Sequence, residues 1–122
     1  MKNPNLPDLI VKSSAVKNKI YTVLSFEGDL DKLGLELVRP QIDEIVEKLE
    51  TKYLVFDFTS LNFINSESIG YLITVHYRLI KKDKGLVIVK ASNYVKDVLQ
   101  VIGVSDFIKN YESLADFEES IK

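Results

Sequence analysis

Residues 53–70, Tyr53-Leu54-Val55-Phe56-Asp57-Phe58-Thr59-Ser60-Leu61-Asn62-Phe63-Ile64-Asn65-Ser66-Glu67-Ser68-Ile69-Gly70, change character twice. Tyr53 to Phe58 is a nearly continuous apolar run, the mark of a central strand covered by helices on both faces of a mostly parallel sheet. A short loop is expected after Asp57-Phe58. Asn65, Ser66 and Glu67 then supply what a helix N-terminus needs, and Ile69, Leu72, Ile73, His76, Leu79 and Ile80 recur at helical spacing. Gly85 is expected to close the connection into the strand Leu86-Val87-Ile88-Val89. The result is a βαβ crossover, right-handed by strong default.

Outward from this unit, Leu9–Val16 and Ile20–Phe26 read as strands joined by a hairpin turn at Lys17-Asn18. In the second strand Ile20, Thr22, Leu24 and Phe26 share one face, and Tyr21, Val23 and Ser25 the other. Val38, Ile42, Ile45, Val46 and Leu49 define an amphipathic helix. Pro40 requires either that this helix begin near Arg39 or that an earlier turn be kinked there. Past the crossover, Val95, Val98, Leu99 and Ile102 mark a helix capped by Ser92 or Asn93 and ended by a left-handed Gly103. Phe107-Ile108 suggests a short last strand, and Ser113-Leu114-Ala115-Asp116 resembles a capping box opening a terminal helix through Leu114, Phe117 and Ile121. The expected fold is α/β, a mixed, mostly parallel sheet in the order ββαβαβαβα. Residues 1–8, with two prolines, read as a flexible lead-in and 9–122 as one domain.

The chain of 122 residues has 16 basic and 18 acidic side chains. A formal charge of −2 gives no cationic surplus for nucleic acid or anionic lipid, and no stretch is apolar enough for membrane insertion. The cluster Lys81-Lys82-Asp83-Lys84 falls where a helix should end, where cations favour the dipole. With no cysteine, thiolate chemistry and Cys-ligated zinc are excluded. The N-terminus lacks the apolar core of a secretion signal, so a cytoplasmic location is expected.

No catalytic group, cofactor or metal site is expected. Ile64-Asn65-Ser66-Glu67-Ser68 lacks the glycines of a nucleophile elbow, which weighs against a small α/β hydrolase. The one histidine, His76, shares the apolar stripe of its helix and lies roughly 15 Å along the axis from Ser66, too far for a general base. Asp29, Asp31 and Asp57 fall at strand ends without a calcium-loop pattern and read as solvated loop acids.

Three segments together resemble the STAS family, which includes bacterial anti-sigma factor antagonists. Phe26-Glu27-Gly28-Asp29-Leu30-Asp31 is similar to the family's strand end followed by Gly-x-Leu-Asp. Asp57 to Gly70 is similar to its strand ending in Asp, a loop, and Phe-Ile-Asp-Ser-Ser/Thr-Gly-Leu-Gly; Asn65 stands for Asp, Glu67 for Ser/Thr and Ser68 for Gly. Gly85–Ile108 resembles its last core strand and following helix. The resemblance implies a partner-switching regulator that binds an anti-sigma factor/serine protein kinase, with a protein phosphatase as a further partner. It implies phosphorylation at Ser66, Ser68 being a second, less favoured hydroxyl. The partner face it suggests comprises Asp29, Leu30, Asn65, Ser66, Glu67, Tyr71, Ser92 and Asn93, with Leu30 and Tyr71 as anchors. A non-phosphorylated adaptor in a signalling or transporter-associated complex is the alternative. Read without the family, Asn65 or Ser66 is simply a helix cap.

Overall fold

Alternation along the strands decides which face each helix covers. The computed structural model describes residues 10–17 and 20–122. The elements are β1 (Ile10–Lys17), β2 (Tyr21–Leu30), α1 (Lys32–Lys48), β3 (Tyr53–Ile64), α2 (Ser66–Ile80), β4 (Gly85–Val89), α3 (Asn93–Ile102), a 3-10 turn (Val104–Asp106), β5 (Lys109–Tyr111) and α4 (Leu114–Ser120). The strands lie side by side in chain order, β1 antiparallel to β2 and all later pairs parallel. The order ββαβαβαβα is therefore observed. The expected lead-in at residues 1–8, Leu9 and Asn18 of the expected hairpin turn lie outside the described residues.

Even-numbered residues of the central strands, among them Leu24, Phe26, Leu54, Phe56, Phe58 and Ile88, pack with Leu35, Val38 and Ile42 of α1, Ile69, Leu72 and Val75 of α2, and Val95 and Leu99 of α3. Phe26 meets Phe56 and Phe58 edge-on, with ring centroids 4.8 and 5.3 Å apart. Odd-numbered Tyr21, Val23, Val55, Val87 and Val89 face the other way, where Phe117 of α4 covers them. Both faces of β3 and β4 are thus buried, which is why these strands carry unbroken apolar runs.

Several boundaries differ from the sequence reading. No loop follows Phe58: β3 runs on through Thr59–Asn62 to Ile64, beside Glu27–Leu30, with register shifts between Ser25 and Glu27 and between Gly28 and Asp29. Pairing with β2 holds these polar residues extended where the family pattern implied a loop. Helix α1 begins at Lys32, capped by the Asp31 carboxylate, which accepts from the Gly34 N–H at 2.8 Å. Pro40 lies inside it, so the Glu36 carbonyl has no donor four residues on. At the end of α2 the left-handed residue is Asp83 (φ 59°), Lys84 N–H returns to the Leu79 carbonyl at 2.9 Å, and Gly85 opens β4 as expected. Phe107-Ile108 is not the last strand: the 3-10 turn precedes it, and β5 starts at Lys109.

The lysine cluster serves the end of α1 rather than the end of its own helix. Lys82 Nζ donates to the Val46 and Glu47 carbonyls at 3.0 Å each, and Lys84 Nζ to those of Leu49 and Thr51. These contacts satisfy carbonyls that the helix terminus leaves open. Lys84→Met, which keeps the stem and removes the ammonium, is expected to cost about 1–3 kcal/mol, read as a lower denaturant midpoint at unchanged m-value.

His76 is buried on α2, as expected, but its Nδ1 has no hydrogen-bond partner among the described residues. Burial holds its pKa below the ordinary value of 6.5. The unfolded chain then binds more protons than the native one just below pH 6.5, so this contribution to stability is full above that pH and falls as pH drops. Denaturation between pH 7.5 and about 5.5 is expected to show that loss, and His76→Leu to flatten it.

Candidate functional site

The site forms where β2, β3 and β4 end. The Leu30 carbonyl at the end of β2 accepts the Asn65 N–H at 3.1 Å and the Ser68 hydroxyl at 2.9 Å. Asn65 is the cap of α2: its Oδ1 accepts the Ser68 N–H at 2.8 Å. Asparagine does here what aspartate would do, without the charge. The two serines of the junction are therefore different in kind. Ser68 is fully buried and its hydroxyl is committed to Leu30. Ser66, the first residue of the helix, is exposed, and its hydroxyl makes no hydrogen bond with the described residues. Glu67, also exposed, places a carboxylate in the first turn, where the helix dipole favours it.

The other expected partner residues divide in two. Ser92 caps α3, accepting the Val95 N–H at 3.2 Å, and is exposed beside exposed Asn93; Asp29 is half-buried and pairs in register with Phe63. Leu30 and Tyr71 are not surface anchors. Leu30 is 1% exposed in the main core because the backbone at the end of β2 turns its side chain inward. Tyr71 is 9% exposed, packed between α1 and α2, with its hydroxyl donating to Asp43 Oδ1 at 2.5 Å and the Arg39 guanidinium 5.2 Å from its ring centre. Burial, and then the Asp43 carboxylate, push its pKa well above the ordinary tyrosine value. Arg78 Nη1 lies 2.7 Å from the same Asp43 oxygen, so Tyr71 belongs to a network that ties the two helices together.

Phe63 and Tyr94 were missed by sequence reasoning. Their rings stack 6.4 Å apart at 18°, although they come from the end of β3 and the start of α3. They are 38% and 50% exposed. This stack sets the start of α3, which carries Asn93 behind its Ser92 cap, against the end of β3. Tyr94 carried a signal: it lies off the Val95, Val98, Leu99 and Ile102 stripe. Phe63 carried none, because the register shifts that turn it outward are tertiary.

The acids Asp29, Asp31 and Asp57 do not converge. Asp31 caps α1, and Asp57 Oδ1 accepts from the N–H and hydroxyl of Thr59. Among the described residues no group of three His, Asp or Glu side chains is placed to hold a metal ion, and no helix is long and apolar enough to cross a membrane.

Ser66→Glu is expected to leave stability within about 0.5 kcal/mol of wild type, since it adds an exposed anion at a helix N-terminus. Ser68→Glu forces a carboxylate into a filled, hydroxyl-sized space and is expected to cost more than about 3 kcal/mol. Paired thermal or denaturant melts check both.

The family model of the STAS domain matches residues 12–117. The fold is similar to an anti-sigma factor antagonist from Mycobacterium paratuberculosis, at 19% identity and a TM-score of 0.76 over 98% of this chain and 97% of that one. It is also similar to the Bacillus cell fate determinant SpoIIAA in its phosphorylated form, at 15% identity and 0.67 over 93% and 99%. Unphosphorylated SpoIIAA, an anti-sigma factor antagonist, matches at 16% and 0.74 over 93% and 95%. No curated protein sequence matches the chain. A family match spanning most of the chain, on a fold with the same element order, makes this protein a member of the STAS domain family.

Proposed function

We propose that this protein is a partner-switching regulator of the anti-sigma factor antagonist kind, which binds an anti-sigma factor/serine protein kinase and is gated by phosphorylation of Ser66. The observation that carries this reading is the contrast at the junction: one serine is exposed and unbonded at the start of α2, while its neighbour two residues on is sealed in the core. In the reaction the Ser66 hydroxyl oxygen takes the γ-phosphoryl group of ATP, its proton is lost and ADP leaves; a protein phosphatase reverses the state by hydrolysis. The STAS domain acts as substrate and binding partner, not as catalyst, and works in the cytoplasm where such partners are found.

A phosphoryl group at Ser66 adds about −1.5 to −2 charge where free N–H groups and the helix dipole favour an anion, so the domain itself keeps its fold. The effect falls on the partner. The face it meets includes Asp29, Asn65, Glu67, Ser92 and Asn93, with Phe63 and Tyr94 as the aromatic surface between them. Burying a new dianion beside Glu67 under a packed interface weakens binding by tenfold for each 1.4 kcal/mol of unrecovered desolvation and repulsion. Leu30 and Tyr71 support this face from within.

The test is capture of partners by wild type, Ser66→Ala and Ser66→Asp, followed by incubation with ATP and mass spectrometry. Phosphate is expected on Ser66 alone, Ser66→Ala should hold its partner in ATP, and phosphorylated wild type should bind at least tenfold more weakly. Equal binding by all forms with no phosphate at Ser66 would overturn the gate and leave a non-phosphorylated adaptor. Glu67, a fixed negative charge beside the hydroxyl, favours that second reading.

A further inference from the structure

The short last strand leaves one corner of the sheet open. β5 pairs only with Val87–Val89, so Gly85 and Leu86 at the start of β4 have no strand neighbour on that side among the described residues. Helix α2 and the segment after the 3-10 turn flank the gap from one face of the sheet, and α4 from the other. The result is a groove of about 290 Å³ that wraps the sheet edge. That volume lies at the small end of the range for ligand sites. Gly85 helps keep it open, since a β-carbon there would press on the Tyr53 ring at 3.3 Å.

The chemistry of the walls is one-sided. Phe107, Tyr53 and Tyr111 supply aromatic surface and Ile80 and Ile121 aliphatic surface, Ser120 adds a polar wall, Phe117 lies buried beneath, and no carboxylate of the described residues lines the groove. Its charged side chain is Lys109, exposed on β5 and in no ion pair with the described residues. His76, whose ring lies 5.1 Å from that of Phe107, contributes an uncharged wall near neutral pH. A mostly apolar groove whose rim carries one ammonium, unpaired among the described residues, is complementary to a molecule with one negative end and an apolar body.

We propose that this groove binds a small amphipathic carboxylate, an alkyl or aryl chain of about ten heavy atoms lying against the exposed Phe107 ring and Ile80 with its carboxylate on Lys109. The site is separate from the Ser66 face. Ser66 opens α2 and Ile80 closes it, so the length of the helix, roughly 20 Å, stands between them. No step of the phosphorylation gate enters the proposal.

The experiment is an amide NMR titration of the full chain with octanoate, 4-phenylbutyrate and the neutral 1-octanol. Saturable shifts are expected at Gly85, Leu86, Phe107, Lys109 and Ile121 with at least one carboxylate, at a Kd of about millimolar or tighter. Lys109→Gln should weaken carboxylate binding at least tenfold while leaving octanol unchanged, and its own spectrum reports whether it is folded. Which carboxylate binds more tightly tells an alkyl from an aryl occupant. The proposal is overturned if neither carboxylate gives saturable shifts, if octanol binds as tightly as octanoate, if Lys109→Gln binds like wild type, or if the shifts centre on Phe63 and Tyr94.

Discussion

One carbonyl oxygen fixes the functional end of this molecule. The Leu30 carbonyl takes the Asn65 N–H and the Ser68 hydroxyl together, and so ties the end of β2 to the first turn of α2. Both lone pairs of a buried acceptor are used, which removes the penalty an unsatisfied carbonyl would carry in the core. Leu30's own side chain is held inward by the same geometry. The position of Ser66 follows: with Asn65 and Ser68 pinned, the residue between them and Glu67 has only solvent to face.

The departures from the family pattern take on a physical sense in this frame. Serine at position 68, where the family has glycine, adds a cross-link to β2 instead of leaving the helix start to rest on backbone contacts alone. Asparagine at 65 keeps the capping bond and gives up a charge, while Glu67 restores a negative charge one step beyond Ser66. The first turn therefore carries a single carboxylate beside the exposed hydroxyl, displaced along the helix.

Much of this was legible in the residues and some was not, for separable reasons. Period-two alternation assigned Leu24 and Phe26 to one face and Tyr21 and Val23 to the other, and the structure keeps that division because a one-residue slip would expose the whole set. Ser92, Gly103 and Ser113 were readable as caps and ends because their chemistry is local. The extension of β3 was hidden, since Thr59–Asn62 are strand only by pairing with an irregular β2. The inward turn of Leu30, the loss of Tyr71 to the Asp43–Arg78 network and the Phe63–Tyr94 stack are long-range events with no periodic trace. The left-handed Asp83 that turns the chain out of α2 carried no signal, since an aspartate takes that conformation only under the turn's own hydrogen bonds.

The two faces of the sheet are covered very unequally. Among the described residues three helices shield one side, while α4, seven residues long with Phe117 as its one buried side chain, covers the other. A helix of that length does not persist on its own, so it rests on the packing of that ring among Tyr21, Tyr53 and Tyr111, with Leu114 and Ile121 beside it. The back layer is thus the natural unit of partial unfolding, able to detach and re-dock while the three-helix side stays closed. A local opening of the fold would therefore begin on that side and not on the one that carries the start of α2.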